Sequence, residues 1–325
     1  MRFDVWGWSR TATRGDHRQF LALFEAADRL GFGGVWFNEF RFQQPPEPYP
    51  STLLLAAAIF ARTERLRVGT AVLVLPLHDP LLLAEEIAQL DWQSGGRIDV
   101  GVGRGTVPAT LAVLGIDPAS TRERFERAYA TITDTWSGRG IARAPTVQKP
   151  RPPVYVAGST RETLTFAAER GLPLLLSLEP CEKAQVALYR EVIGQTGRPD
   201  ALADSSLARH VCLAATLEQA STRARDLVER LYRRRRDLAL ARGVPEAQFP
   251  KLDVDRTLRE QFVWGTPEQC VEQIRGLNEV LGVRQLRCVF NGTGLLGDDA
   301  ALEAMTLFAR EVMPNFNHGA NPQPS

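Results

Sequence analysis

An arginine in a glycine-rich loop is the first residue whose surroundings indicate chemistry. Residues 94–106 read SGGRIDVGVGRGT, and Arg104 stands between Gly103 and Gly105 at the end of a short apolar run. A guanidinium at the end of a strand can bind a phosphate through two parallel hydrogen bonds. The spacing disfavours a dinucleotide loop of the form G-x-G-x-x-G, because the third glycine comes one residue early and the next convincing helix begins only near Ser120. The alternative is that these glycines only let a strand end in a tight turn.

A second anion-binding element follows the apolar run 153–157. Gly158, Ser159 and Thr160 open a predicted helix that also carries Thr163 in its first turn. The free amides of a helix start, its dipole and nearby hydroxyls together favour an anion. The alternative is ordinary capping, in which Ser159 and Glu162 form a capping box. Capping is compatible with a bound phosphate provided that Glu162 points away from it.

The other residue types that support catalysis are scattered. The four histidines and the four cysteines show neither the spacing of a metal site nor that of a nucleophilic triad. His78 lies in the turn PLHDP, where we interpret it as structural. We therefore predict no metal site, and we expect reduced, mostly buried thiols.

Short apolar runs that alternate with amphipathic segments must position these residues. The predicted strands are 3–8, 33–38, 67–74, 97–103, 153–157, 172–177, 207–214 and 285–291. Each is followed by a helix signal, and several read as continuous apolar runs, which is typical of buried parallel strands. Eight such units predict an α/β fold of the (β/α)8 TIM-barrel type. We assign one domain to 1–313 with an inserted helical segment at about 216–265, and a flexible tail to 314–325.

Composition excludes several classes of function. The 325 residues include 39 Lys+Arg and 38 Asp+Glu, so the net charge of +1 gives no field that would attract nucleic acid. The longest strongly apolar run, 53–61, is too short to cross a bilayer. The first residues lack the basic and apolar regions of a signal peptide, so we expect a cytoplasmic protein without a membrane partner.

The order and spacing of several motifs resemble the bacterial luciferase-like flavin monooxygenases. The motifs are VWFNE (35–39), VGTAVLVLP (68–76), AEE (84–86), SGGR (94–97), GVGRG (101–105), AGST (157–160), AAERG (167–171) and GTPE (265–268). The resemblance covers most of the chain and implies a barrel with an insertion that binds reduced FMN at the carboxyl ends of its strands.

The resemblance also assigns roles to residues. It implies that Arg104, Ser159, Thr160 and Thr163 hold the FMN phosphate and that the glycines of the loop, Gly103 among them, give clearance beside the flavin. It further implies a non-proline cis peptide bond between Ala71 and Val72, below the flavin ring.

The chain departs from the family pattern after the second strand. Members close to the luciferases read Glu-His-His-Phe, whereas this chain reads Glu39-Phe40-Arg41-Phe42. Because both histidines are replaced, luminescent aldehyde oxidation is not expected. Glu39 and Arg41 are the catalytic candidates that remain. Arg41 either contacts an acidic substrate or forms a salt bridge with Glu39 or Glu47.

The resemblance implies a two-component flavin monooxygenase. Reduced FMN from a separate flavin reductase would react with dioxygen, and the resulting C4a-hydroperoxyflavin would oxygenate a small organic substrate. The sequence contains no motif for NAD(P)H, which agrees with a separate reductase. One alternative is a hydride-transfer enzyme that uses reduced 8-hydroxy-5-deazaflavin, and another is a non-catalytic flavin-binding partner protein. The family also implies a homodimer that pairs through helices beside the second and third strands.

Overall fold

Ten strands form the frame of the molecule. The computed structural model describes residues 1–8, 15–43, 48–105, 107–178, 182–196, 201–241, 244–291 and 296–316. The strands in these ranges are β1 (Arg2–Trp6), β2 (Gly34–Phe37), β3 (Arg67–Thr70), β4 (Leu73–Val74), β5 (Ile98–Gly103), β6 (Val154–Val156), β7 (Leu175–Leu176), β8 (Ser206–Leu213), β9 (Phe262–Gly265) and β10 (Gln285–Val289).

Eleven α-helices within the same ranges surround the strands. They are α1 (His17–Arg29), α2 (Thr52–Phe60), α3 (Pro80–Ser94), α4 (Pro108–Val113), α5 (Thr121–Ser137), α6 (Arg161–Glu169), α7 (Glu182–Thr196), α8 (Leu217–Ala241), α9 (Val254–Gln261), α10 (Pro267–Leu281) and α11 (Asp298–Glu311). Local chemistry determines where they begin. In α10, Thr266 and Gln269 form a capping box and Pro267 occupies the first helical position.

The strands pair in parallel and return to their starting point. Eight of them follow one another in the order β1, β2, β3, β5, β6, β7, β8, β10, with β10 pairing again with β1. The contact between β6 and the chain before β7 is a single parallel bridge from Val156 to Leu174, together with a 2.9 Å hydrogen bond from the Val156 amide to Pro173 O. This arrangement confirms the predicted α/β fold of the TIM-barrel type.

Buried charges occupy the barrel interior at the amino ends of the strands. The Asp99 carboxylate is fully buried and lies 2.8 Å from an Arg2 nitrogen and 2.6 Å from an Arg67 nitrogen. Burial alone would raise the pKa of Asp99, but the charges and hydrogen bonds of the two arginines lower it below its ordinary value. These ion pairs therefore occupy the barrel interior at the amino ends of the strands.

Three predicted boundaries need correction. The single strand expected at 67–74 is divided into β3 and β4, which are separated by Ala71 and Val72. The segment 216–265 contains an additional strand, β9, besides the expected helices, and β9 pairs with the end of β8. Residues 314–316, which were expected to begin a flexible tail, belong to a 3-10 turn in which Phe316 packs against Phe3 at a ring separation of 5.3 Å. Residues 317–325 lie outside the described ranges.

The described helices and cysteines also bear on the predictions from composition. None of these helices combines the length and the apolar character that a membrane span requires. Cys212, Cys270 and Cys288 are buried free thiols, as expected, whereas Cys181 lies outside the described residues.

Candidate active site at the carboxyl ends of the strands

The two predicted phosphate elements lie at the ends of neighbouring strands. β5 pairs with β6 in a register that sets Val102 opposite Val156, and the Ala157 amide donates to Val102 O at 3.1 Å. Arg104 directly follows β5, and Gly158 follows β6 after one residue. The barrel thus brings together two segments that are about 50 residues apart in the chain.

The helix at the second element begins one residue later than the capping prediction requires. Thr160, not Ser159, is the N-cap of α6, and its hydroxyl accepts a hydrogen bond from the Thr163 amide. The reason is that Thr160 has an extended backbone, with φ −80° and ψ 150°, so the first helical residue is Arg161. Ser159 and Thr160 are exposed, and the Thr160 and Thr163 hydroxyl oxygens lie 3.1 Å apart. Ser159 and Thr160 are therefore accessible to a ligand, whereas Thr163 is buried behind them.

Two arginines place positive charge beside this helix start. Among the described residues, the Arg104 guanidinium forms neither a hydrogen bond nor an ion pair, whereas Arg122 donates to the Thr163 hydroxyl at 3.2 Å. The pKa of Glu162 is lowered, first by its own backbone N–H, then by the Thr160 hydroxyl and by the charges of Arg122 and Arg104. The charge of Arg104 therefore acts at the start of α6. Sequence reasoning missed Arg122, because no motif marks its position.

The alternating glycines have a packing role. An added Cβ would lie 2.0 Å from Thr70 O at Gly101 and 2.6 Å from the Val72 side chain at Gly103. Gly105 has a φ of +69°, and a Cβ there would lie 2.3 Å from the Val74 side chain. The glycines thus let the end of β5 approach the segment that joins β3 to β4. Clearance beside a flavin is a separate role for Gly103 that stays a prediction.

The expected cis peptide bond is present between Ala71 and Val72. Both residues pack against a small apolar cluster that contains Trp36, Tyr155 and Leu175 inside the barrel. The Trp36 indole is fully buried and is held by a 2.6 Å hydrogen bond from its Nε1 to Asp4. This cluster supports the cis peptide from below, at the open end of the barrel.

Glu39 is the centre of a buried hydrogen-bond network. Its side chain is fully buried and accepts from Arg41 Nε at 2.8 Å, from the Val74 amide at 3.0 Å and from His78 Nε2 at 3.0 Å. Burial alone would raise the pKa of Glu39, but the hydrogen bonds and charge of these partners, His78 foremost, lower it below its ordinary value. Of the two partners predicted for an Arg41 salt bridge, Glu39 is found, and Glu47 lies outside the described residues. The network links the chain after β2 to β4.

A cavity of about 410 Å³ opens between this network and the glycine loop. Its lining includes Arg41, the cis peptide pair Ala71 and Val72, Gly105, and Leu111 of α4. The short helix α4 begins earlier than the helix expected near Ser120, and it forms one wall of the cavity. The described residues contain no group of three or more His, Cys, Asp or Glu that could hold a metal ion.

Comparisons with known proteins agree with this geometry. The family described as luciferase-like monooxygenase matches residues 1–285. Limonene 1,2-monooxygenase of Rhodococcus erythropolis is 28% identical over 94% of this chain and 83% of its own length. The oxygenating constituent of 3,6-diketocamphane monooxygenase of Pseudomonas putida, solved with FMN, is 18% identical with a TM-score of 0.77 over 97% of this chain and 98% of that one.

A reductase dependent on coenzyme F420 shares the fold as well. The tetrahydromethanopterin reductase of Methanopyrus kandleri is 19% identical with a TM-score of 0.71 over 97% of this chain and 99% of that one. At these identities the two solved structures are evidence for the fold alone. The match over residues 1–285 decides the family. The chain belongs to the luciferase-like monooxygenase family of oxidoreductases.

Proposed function

We propose that this chain is the oxygenating component of a two-component flavin monooxygenase. It would bind reduced FMN supplied by a separate reductase and use dioxygen to oxygenate a small organic substrate. The observation that carries the proposal is the convergence of Arg104 with the start of α6, beside a cavity that contains the Ala71–Val72 peptide. When bound, the flavin supplies the electrons that activate dioxygen.

The residues of the site fit a flavin phosphate. Arg104 is partly buried and has no described partner, so its guanidinium is available to an anion. Thr160 presents an exposed hydroxyl at the start of α6, and the buried Thr163 hydroxyl beside it accepts a hydrogen bond from Arg122. We assign these four residues and the exposed Ser159 to the phosphate, with Glu162 directed to solvent.

The remaining residues position the ring and shield it from water. Ala71 and Val72 would lie below the flavin, because they form the floor of the cavity beside the glycine loop. Glu39 accepts from the Val74 amide and so fixes the backbone that follows this floor. A dry, shaped pocket suits a reaction in which water must be kept from a reactive intermediate. We therefore assign Glu39 a positioning role.

Anaerobic titration of the cofactor-free protein tests the proposal. Reduced FMN and reduced 8-hydroxy-5-deazaflavin are added separately, and binding is followed by the change in flavin absorbance. We expect reduced FMN to bind and to support substrate oxygenation once a flavin reductase and dioxygen are supplied. Tight binding of the deazaflavin without binding of FMN would reject the monooxygenase in favour of a hydride-transfer enzyme, which the fold of the F420-dependent reductase makes the second candidate.

We also propose a homodimer that pairs through α2 and α3. These helices pack against each other and follow β2 and β4 in the chain. Leu54 on α2 is 76% exposed and Leu82 on α3 is 62% exposed, which is unusual for large apolar side chains on adjacent helices. Sedimentation analysis should give a dimer, and the double variant Leu54→Asp, Leu82→Asp should give a monomer. A monomeric wild-type protein would reject this assembly.

A further inference from the structure

The cavity combines the Arg41–Glu39 ion pair and the polar side chains Asn38, Gln43 and Thr110 with an apolar wall. Val72, Val74, Leu77 and Leu111 supply apolar surface, and Arg41 contributes the positive charge. The Arg41 side chain is 30% exposed although it lies in a recess. A guanidinium in such surroundings attracts a ligand that brings both an apolar body and an anionic end.

Within the described residues, the salt bridge of Arg41 to Glu39 uses only the Nε donor of the guanidinium. Only Nε donates to Glu39, at 2.8 Å, and within the described ranges neither Nη group has a hydrogen-bond partner. Glu39 is in turn occupied by the Val74 amide and by His78. The carboxylate therefore orients the guanidinium from one edge and leaves its outer edge for a second acceptor. Such an edge matches the two oxygens of a carboxylate.

We infer that Arg41 binds the carboxylate of the substrate, which is a small organic acid with an apolar body. The acid group would lie on the outer edge of the guanidinium, and the apolar body would extend along Leu77 and Leu111. A phosphate ester suits the cavity less well, because Arg41 is the one cation among its described lining residues and already shares its charge with Glu39. That the bound acid is then oxygenated rests on the proposed function, whereas binding of the acid does not.

Hexanoate and its neutral counterpart hexanamide provide a matched pair of probes. Both are titrated into the full, cofactor-free chain, and binding is measured by calorimetry and by ligand-detected NMR. We expect wild-type protein to bind hexanoate roughly tenfold or more tightly than hexanamide, since a charge-assisted pair of hydrogen bonds is lost with the amide. Arg41→Gln should remove this preference, and Arg41→Lys should retain part of it. Arg127→Gln, at a 64% exposed position on α5, is the control and should behave as wild type.

The outcomes separate this inference from the proposed function. Equal affinity of wild-type protein for the two probes, or failure of hexanoate to bind, overturns the inference. A loss of reduced FMN affinity in Arg41→Gln as large as the loss for hexanoate also overturns it, because Arg41 would then serve the cofactor. Arg41-dependent binding of hexanoate by a protein that binds no flavin supports the acid site and overturns the proposed function alone. Thermal unfolding of each variant verifies its folding, and Arg41→Lys carries the test if Arg41→Gln does not fold.

Discussion

Replacement of Arg104 by alanine tests the proposed contact between the protein and the flavin phosphate. The side chain follows β5 directly and has no hydrogen-bond or ion-pair partner among the described residues. Its removal therefore breaks no described contact of this kind within the folded protein. FMN and riboflavin differ only by the phosphate, so comparison of the two reduced flavins separates loss of the phosphate contact from general damage to the site.

The expected magnitude follows from the surroundings of Arg104. A hydrogen bond to a charged group contributes about 1.5–3 kcal/mol. Arg104 is only partly buried, and Arg122 also places charge at the start of α6, so the lower part of that range applies. We therefore expect Arg104→Ala to weaken reduced FMN by about 1.5–2 kcal/mol, which is roughly a 10- to 30-fold increase in Kd.

Anaerobic titration of wild-type and variant protein with both reduced flavins measures this effect. The Kd of reduced riboflavin should change by less than about twofold, because it offers no phosphate to Arg104. Arg127→Ala, on the exposed side of α5, is the matched control and should leave both affinities unchanged. An equal loss of affinity for the two flavins in Arg104→Ala would refute the reasoning and make Arg104 a structural residue.

Three further substitutions test the framework of the site and the pH dependence of stability. Glu39→Gln should lower the free energy of unfolding by about 1–3 kcal/mol in urea titrations, because an amide cannot accept from all three donors of the Glu39 network. A variant as stable as wild type would contradict this network. Gly105→Ala should lower the free energy of unfolding by about 1–3 kcal/mol more than Gly115→Ala. Both glycines have a positive φ, but only Gly105 faces a side chain, that of Val74. Equal losses of stability would exclude a close approach of Gly105 to Val74. Burial, with the charges of nearby arginines, lowers the pKa of His210 from 6.5 to about 3, so the folded state favours the neutral ring and loses stability as the pH falls below about 6.5. Between about pH 6.5 and 4.5, chemical unfolding should show that His210→Gln loses about 2–3 kcal/mol less stability than wild type. Parallel pH profiles of the two proteins would show that His210 does not titrate in this way.

The repeated alternation of apolar runs and helices predicted the barrel because each unit carries its own local signals. β4 and β9 were not predicted as separate strands, for two different reasons. β4 has two residues and continues the apolar run of β3, so periodicity cannot divide them. β9 lies at the end of a long insertion and pairs with β8, a partner about 50 residues earlier in the chain. A strand that depends on its pairing partner is therefore harder to predict from sequence than a helix whose ends are marked by capping residues.

The candidate site was predictable where chemistry and strand ends coincide. Arg104 and Thr160 could be identified because both follow strands whose ends must meet in a parallel barrel. Arg122 could not, since it reaches Thr163 across a distance of 41 residues from a helix without a motif. The environment of Glu39 was equally hidden, because its partner His78 is 39 residues further along the chain.

One segment of backbone connects the two halves of the site. The chain from Val72 to Val74 packs against Gly103 and Gly105 on one side, and on the other the Val74 amide donates to Glu39 at 3.0 Å. Glu39 also holds Arg41, the cation of the cavity. A side chain added at Gly103 or Gly105 would therefore displace this segment, and replacement of Glu39 would remove the hydrogen bond to its Val74 amide. The spacing of the glycines and the burial of the Glu39 carboxylate both fix the position of this segment, whose residues Val72 and Val74 line the cavity.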